Sequence, residues 1–207
     1  MSETPDASTP PSVPASSSLP PAYSLGGSAY SPPPVNEVAP GPLMLSGALL
    51  IVAFVAHLVA YLSPQLSIVG SLVEMASLVG AYIGFLRAGF PSRSGAARGL
   101  AVVLILLYLL SGTGGVAIVL GALPIESFTG VILLGVGVLI AGVAFGIVSL
   151  VTTELPSPLK AIPIVMYVLV FLLGLITPTI SGGGYLVAGI MYLALAGTAS
   201  RRSTTGA

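Results

Sequence analysis

The chain has no cysteine, one histidine, and only six basic and six acidic side chains among its 207 residues. Without cysteine there are no disulfides, no thiolate metal sites and no cysteine nucleophile, and nothing marks the redox compartment. Formal net charge is zero, so no nucleic-acid partner is expected. Charged residues make up 6% of the chain, against about 25% in soluble domains. No aspartate falls in an apolar run, which excludes an aspartyl dyad. HExxH, a GxSG serine arrangement and a TVGYG filter are also missing. An enzyme is not expected, and neither is a cofactor. One Glu and one His do not make a metal site.

Apolar residues are what the chain has in excess, at 55%, and mean hydropathy is +1.08. Runs of roughly 20 apolar residues match the length of helix that crosses about 30 Å of hydrocarbon. The pattern predicts an all-α, polytopic bundle of six transmembrane helices, at about 43–62, 66–88, 99–121, 128–151, 159–177 and 180–199. It sits as a multi-pass protein in the cell membrane, in contact with lipid. The domain covers 42–200. A short basic C-terminus, 201–207, follows it.

Residues 1–41 read as a cytoplasmic tail rich in Pro and Ser. They hold too few large apolar groups to offset the entropy of ordering, so the tail is expected to be disordered. No basic segment opens the chain ahead of an apolar one, so the first span is expected to direct insertion. Pro20, Pro21 and Tyr23 belong to "LPPAY", a PPxY pattern that suits a tail-binding partner with a polyproline II groove. Such patterns also arise readily in a proline-rich tether.

Arg87, Arg93, Arg98, Lys160, Arg201 and Arg202 are the basic residues. With six spans and the N-terminus inside, all six fall on the cytoplasmic side, as the positive-inside rule asks. Five spans would divide them. The topology expected is N-in and C-in.

Small residues mark the helix interfaces. Gly80 with Gly84, and Gly142 with Gly146, form GxxxG pairs that allow close backbone approach. They serve either a homo-oligomer or, more commonly, packing within one bundle. Ser111 to Gly115 in the third span and Ser181 to Gly184 opening the sixth are candidates for broken helices lining a cavity. At Ser181 to Gly184 a frayed boundary is the simpler reading.

The candidate site is an intramembrane polar one. His57 lies near the end of the first span and Glu74 early in the second, on either side of a tight turn at Ser63 to Gln65. Both then sit roughly 8–12 Å below the outer end. Ser67, Gly70, Ser71, Glu74, Ser77 and Ala81 recur at helical spacing and make one small, polar stripe. Ala53, Ala56, His57 and Ala60 make another, and the two stripes are expected to face each other or the interior. Leu66, Leu72, Val73, Leu78 and Val79 are expected toward lipid. A charged carboxyl in hydrocarbon costs about 2.5–3.5 kcal/mol on the insertion scale. Pairing with His57 or staying protonated avoids that cost, and histidine makes the pair proton-responsive. Ser111 and Thr113 are expected to join this site from the third span. The leading expectation is a small transporter- or channel-like protein with a protonatable His57–Glu74 pair. Its rival is a non-transporting structural or scaffold protein that packs through glycine faces and recruits partners by its Pro-rich tail, with the His57–Glu74 pair serving equally well as a structural hydrogen bond between the first two spans.

"LVGAYIGFLRAGF" at the end of the second span and "LLGVGVLIAGVAFGI" in the fourth resemble an uncharacterised group of archaeal polytopic membrane proteins of unknown function. That resemblance covers 43–199, implies a polytopic helical fold, and carries no catalytic residues. The tail is not part of it.

Overall fold

The computed structural model describes residues 38–152, 155 and 157–204, with 198–204 as backbone only. The expectations for residues 1–37, for Pro20, Pro21 and Tyr23, and for the side chains of Arg201 and Arg202 lie outside the described residues. Among the described residues every regular element is helical. They are α1 (Pro40–Leu62), α2 (Ser67–Ala88), α3 (Gly95–Val119), α4 (Phe128–Val151), α5 (Ser157–Ile176), α6 (Pro178–Ser181) and α7 (Gly183–Thr204). Six helical stretches are long and apolar enough to cross a membrane, with α6 and the first part of α7 together forming the sixth.

Local chemistry sets the boundaries. Pro40 opens α1, where a missing N–H does no harm. One turn of 3-10 helix, Pro64–Leu66, joins α1 to α2. Gly89 closes α2 at φ 73°, a left-handed cap that glycine adopts without strain. α3 starts at Gly95, ahead of the expected 99, because the Ser94 side chain accepts from the Ala97 amide at 3.2 Å and so satisfies a free donor. Thr177 is extended between α5 and Pro178, as a residue preceding proline tends to be.

Two glycine clusters behave differently from each other. α3 runs unbroken through Ser111 to Gly115, so no broken helix occurs there. Gly112 makes room for Met75, whose Sδ would lie 2.6 Å from an added Cβ. At Ser181 to Gly184 the helix is interrupted, and α6 forms a separate turn before α7 begins.

Each spanning helix packs on its neighbours in chain order, and α7 packs back on α1. The result is an up-and-down ring closed by its first and last spans. Small residues make the contacts. An added Cβ on Gly70 would lie 2.8 Å from the Ala60 amide nitrogen. Gly84 lies against Ser46, and the Ser46 hydroxyl donates to Ala81 O at 2.8 Å. Gly47 and Gly189 bring α1 and α7 equally close, with added Cβ atoms 2.9 and 2.7 Å from the facing carbonyl oxygens. Gly80 meets Leu49, Gly142 meets the Tyr167 ring, and Gly146 meets Ile164. The four GxxxG glycines thus serve contacts within one chain. Van der Waals packing of this kind carries helix association where lipid removes the hydrophobic term.

The two halves of the interior differ. Toward the end where α2 finishes and α3 and α5 begin, Phe85, Phe90, Phe145 and Tyr192 fill the ring, with centroids 5.0 Å apart for Phe85–Tyr192 and 6.3 Å for Phe90–Phe145. Arg87, Arg93, Arg98 and Lys160 belong to that end by their positions in the chain. The opposite half holds a cavity. Outside, Leu62, Leu133, Val151 and Ile176 are among many large apolar side chains left exposed, a surface suited to lipid rather than water.

Candidate functional site

The hairpin of α1 and α2 brings His57 and Glu74 together. His57 Nδ1 lies 2.9 Å from Glu74 Oε1. The other imidazole nitrogen has partners on the last span: Nε2 lies 2.9 Å from the Pro178 carbonyl oxygen and 3.1 Å from Ser181 Oγ. Ser181 also donates to Pro178 O at 2.7 Å. The interruption between α6 and α7 supports this arrangement. Gly182 packs so tightly on the imidazole that an added Cβ would lie 2.9 Å from its Cδ2. Tyr61 packs at a tilt on the same ring, with centroids 4.8 Å apart.

A carbonyl oxygen only accepts, so the proton on Nε2 is fixed by Pro178. A single proton then remains to be shared along the Nδ1···Oε1 line. It resides on the imidazole, giving an ion pair, or on the carboxyl, giving two neutral groups. The pair carries no net charge either way, which suits a low-dielectric setting.

Glu74 has a second neighbour. Beside it is an open-mouthed cavity of about 440 Å³ lined by α2, α3, α4, α5 and α7, with Tyr61 of α1. Tyr61, Ser67 and Val119 stand at its rim, and Leu78, Tyr108 and Tyr167 at its floor. Eleven residues separate Val119 from Tyr108, a depth of about 16 Å along the helix. The Glu74 side chain is 20% exposed and that of His57 9%. The carboxyl thus stands between a buried imidazole and an accessible space.

Ser71 and Ser111 line the cavity with Glu74. Ser77 is buried and is not among the lining residues. Thr113 corrects the expectation for α3: its hydroxyl donates to Leu109 O at 2.6 Å on an exposed face and is absent from the cavity lining. Two residues along a helix turn about 200°, so Ser111 and Thr113 could not share a face. Leu78, expected toward lipid, is 2% exposed and lines the cavity.

Sequence reasoning missed two features. The first is the Pro178–Ser181 turn that holds Nε2. The second is a buried phenol cluster in which Tyr82 hydrogen-bonds Tyr167, and Tyr108 meets Tyr167 at 3.3 Å. Tyrosines favour membrane interfaces, so Tyr108 and Tyr167, placed mid-span, were the available signal. Below them the aromatic packing of Phe85, Phe90 and Phe145 closes the interior. Comparison of the chain with family models, with curated proteins and with solved structures gives no match, and the roles of its residues rest on its own geometry.

Proposed function

We propose that this membrane protein is a small proton-coupled carrier in which Glu74 exchanges a proton between His57 and the cavity. One observation carries this reading: the Glu74 carboxyl touches His57 on one side and lines the cavity on the other. The aromatic layer formed by Phe85, Phe90 and Phe145 favours a carrier over an open channel, because it fills the half of the ring that a pore would need. With the basic end cytoplasmic, as the positive-inside rule asks, the cavity faces outward.

The experiment is proton flux into proteoliposomes, read by a pH-sensitive dye, for wild type and Glu74→Gln. Thermal melts establish that both are folded. Wild-type flux above empty liposomes, lost in a folded Glu74→Gln, is the expected result. Equal flux in the two proteins would remove Glu74 from the path. No flux from either would favour the non-transporting scaffold, which needs only the packed ring.

A further inference from the structure

Resting on the carrier reading, we propose that the cavity takes a small organic monocation of the alkylammonium class, and that its binding expels the one proton held by His57 and Glu74. Among the described residues that line the cavity, Glu74 is the sole carboxyl, and no Lys, Arg or His lines it. The titratable groups facing Glu74 are His57 and Tyr61 from α1, Tyr108 from α3, Tyr167 from α5 and Tyr185 from α7. α4 contributes Val131, Gly135, Val138 and Leu139, and α6 contributes only the Pro178 carbonyl and Ser181, both at His57. Nothing positive stands in the cavity to receive an anion.

The lining suits the apolar part of such a cation as well as its charge. Tyrosine rings attract cations through their faces, and a lone carboxylate supplies the counter-charge. About 440 Å³ lies within the roughly 300–1,000 Å³ of small-molecule sites.

The exchange follows from the fixed tautomer. While the pair holds its proton it is neutral and offers a cation little. Removing that proton leaves the Nδ1 lone pair facing a carboxylate across 2.9 Å, with one negative charge uncompensated. A monocation in the cavity supplies the missing charge. The Nδ1–H or O–H bond breaks, the proton passes to water, and the carboxylate pairs with the ammonium. Charge balances on both sides of the step. By reciprocity, protonating the pair ejects the cation.

The test is isothermal titration of tetraethylammonium chloride into the full chain in detergent, in two buffers of different ionisation enthalpy. This cation has no proton of its own, so every proton counted comes from the protein. About one proton released per cation is expected, with binding weakening about tenfold per unit fall in pH while the pair is protonated. Glu74→Gln is expected to abolish binding. Gly135→Leu guards against a misfolded Glu74 variant. Gly135 lines the cavity and an added Cβ there meets nothing within 4 Å, so a larger side chain starts in open space rather than against backbone. Binding at least about tenfold weaker at an unchanged melt is expected. No binding at tens of millimolar, binding without proton release, undiminished binding in Gly135→Leu, or equal heats from sodium or potassium chloride would each overturn the proposal. Because no membrane is involved, proton-releasing binding without proton flux, even with tetraethylammonium supplied to the liposomes, would remove the carrier and keep the cation site. Flux without tetraethylammonium binding would do the reverse.

Discussion

Glutamine at position 74 is expected to cost the bundle little and leucine clearly more, and the reason lies on the far side of the imidazole. The Pro178 carbonyl, 2.9 Å from Nε2, holds a proton there and turns the Nδ1 lone pair toward residue 74. A glutamine N–H donates to that lone pair over the span Glu74 now bridges. A bond from or to a carboxyl group becomes one donated by an amide, a loss of about 1 kcal/mol. Leucine leaves Nδ1 without a donor on a side chain only 9% exposed, at a cost of about 1–3 kcal/mol. The variants then differ by up to about 2 kcal/mol, or up to about 8 °C in apparent melting temperature for a domain of this size. The single histidine allows a direct check. In protein labelled with 15N-histidine, Glu74→Gln is expected to show one imidazole, protonated at Nε2 and bare at Nδ1 near neutral pH. An Nδ1–H tautomer, or a Glu74→Gln melt as low as that of Glu74→Leu, would refute the assignment of the Pro178 carbonyl as the lock.

Four further outcomes are open to measurement. Gly70→Val is expected to lower stability by about 1–3 kcal/mol through overpacking, since its Cβ meets the Ala60 backbone at 2.8 Å. Gly130→Ala, with nothing within 4 Å, is expected to leave the melt unchanged or raise it slightly. Tyr167→Phe removes the hydroxyl shared by Tyr82 and Tyr108 and is expected to cost about 1–3 kcal/mol in a denaturant or thermal melt; Tyr108→Phe, which loses the 3.3 Å contact with Tyr167 and a bond to Tyr185, is expected to cost a similar amount. Because the chain has no cysteine, single substitutions report topology cleanly. An impermeant maleimide is expected to label Glu126→Cys in intact cells and Arg93→Cys only after lysis; the opposite pattern would invert the bundle.

Hydropathy alone exposed the six spans, because in lipid a long apolar helix satisfies every backbone group internally and leaves few alternatives. The shared depth of His57 and Glu74, though not their contact, was legible for a related reason. A turn as short as Ser63 to Gln65 fixes the register of two antiparallel helices, and rise per residue then sets depth. Depth arithmetic does not fix which way a side chain points, and Thr113 was misplaced for that reason. The Pro178 lock had no signature at all, since the atom that makes it is a main-chain carbonyl 121 residues away. The Gly47–Gly189 contact was hidden in the same way: neither glycine belongs to a GxxxG pair singled out in its span, and only ring closure brings them together.

Ring closure also has a consequence for biogenesis. At synthesis rates of about 5–20 residues per second, the 121 residues between His57 and Pro178 take about 6–24 s to appear. Throughout that interval the first two spans hold an imidazole whose proton has no fixed seat. The Gly47 face of α1 also lies bare until Gly189 arrives. The last span is therefore a keystone rather than an addition, and a chain halted before Pro178 carries a loose ionisable pair and an uncovered seam in the bilayer. Completion of the chain, rather than insertion of any one helix, is the event that settles where the proton belongs.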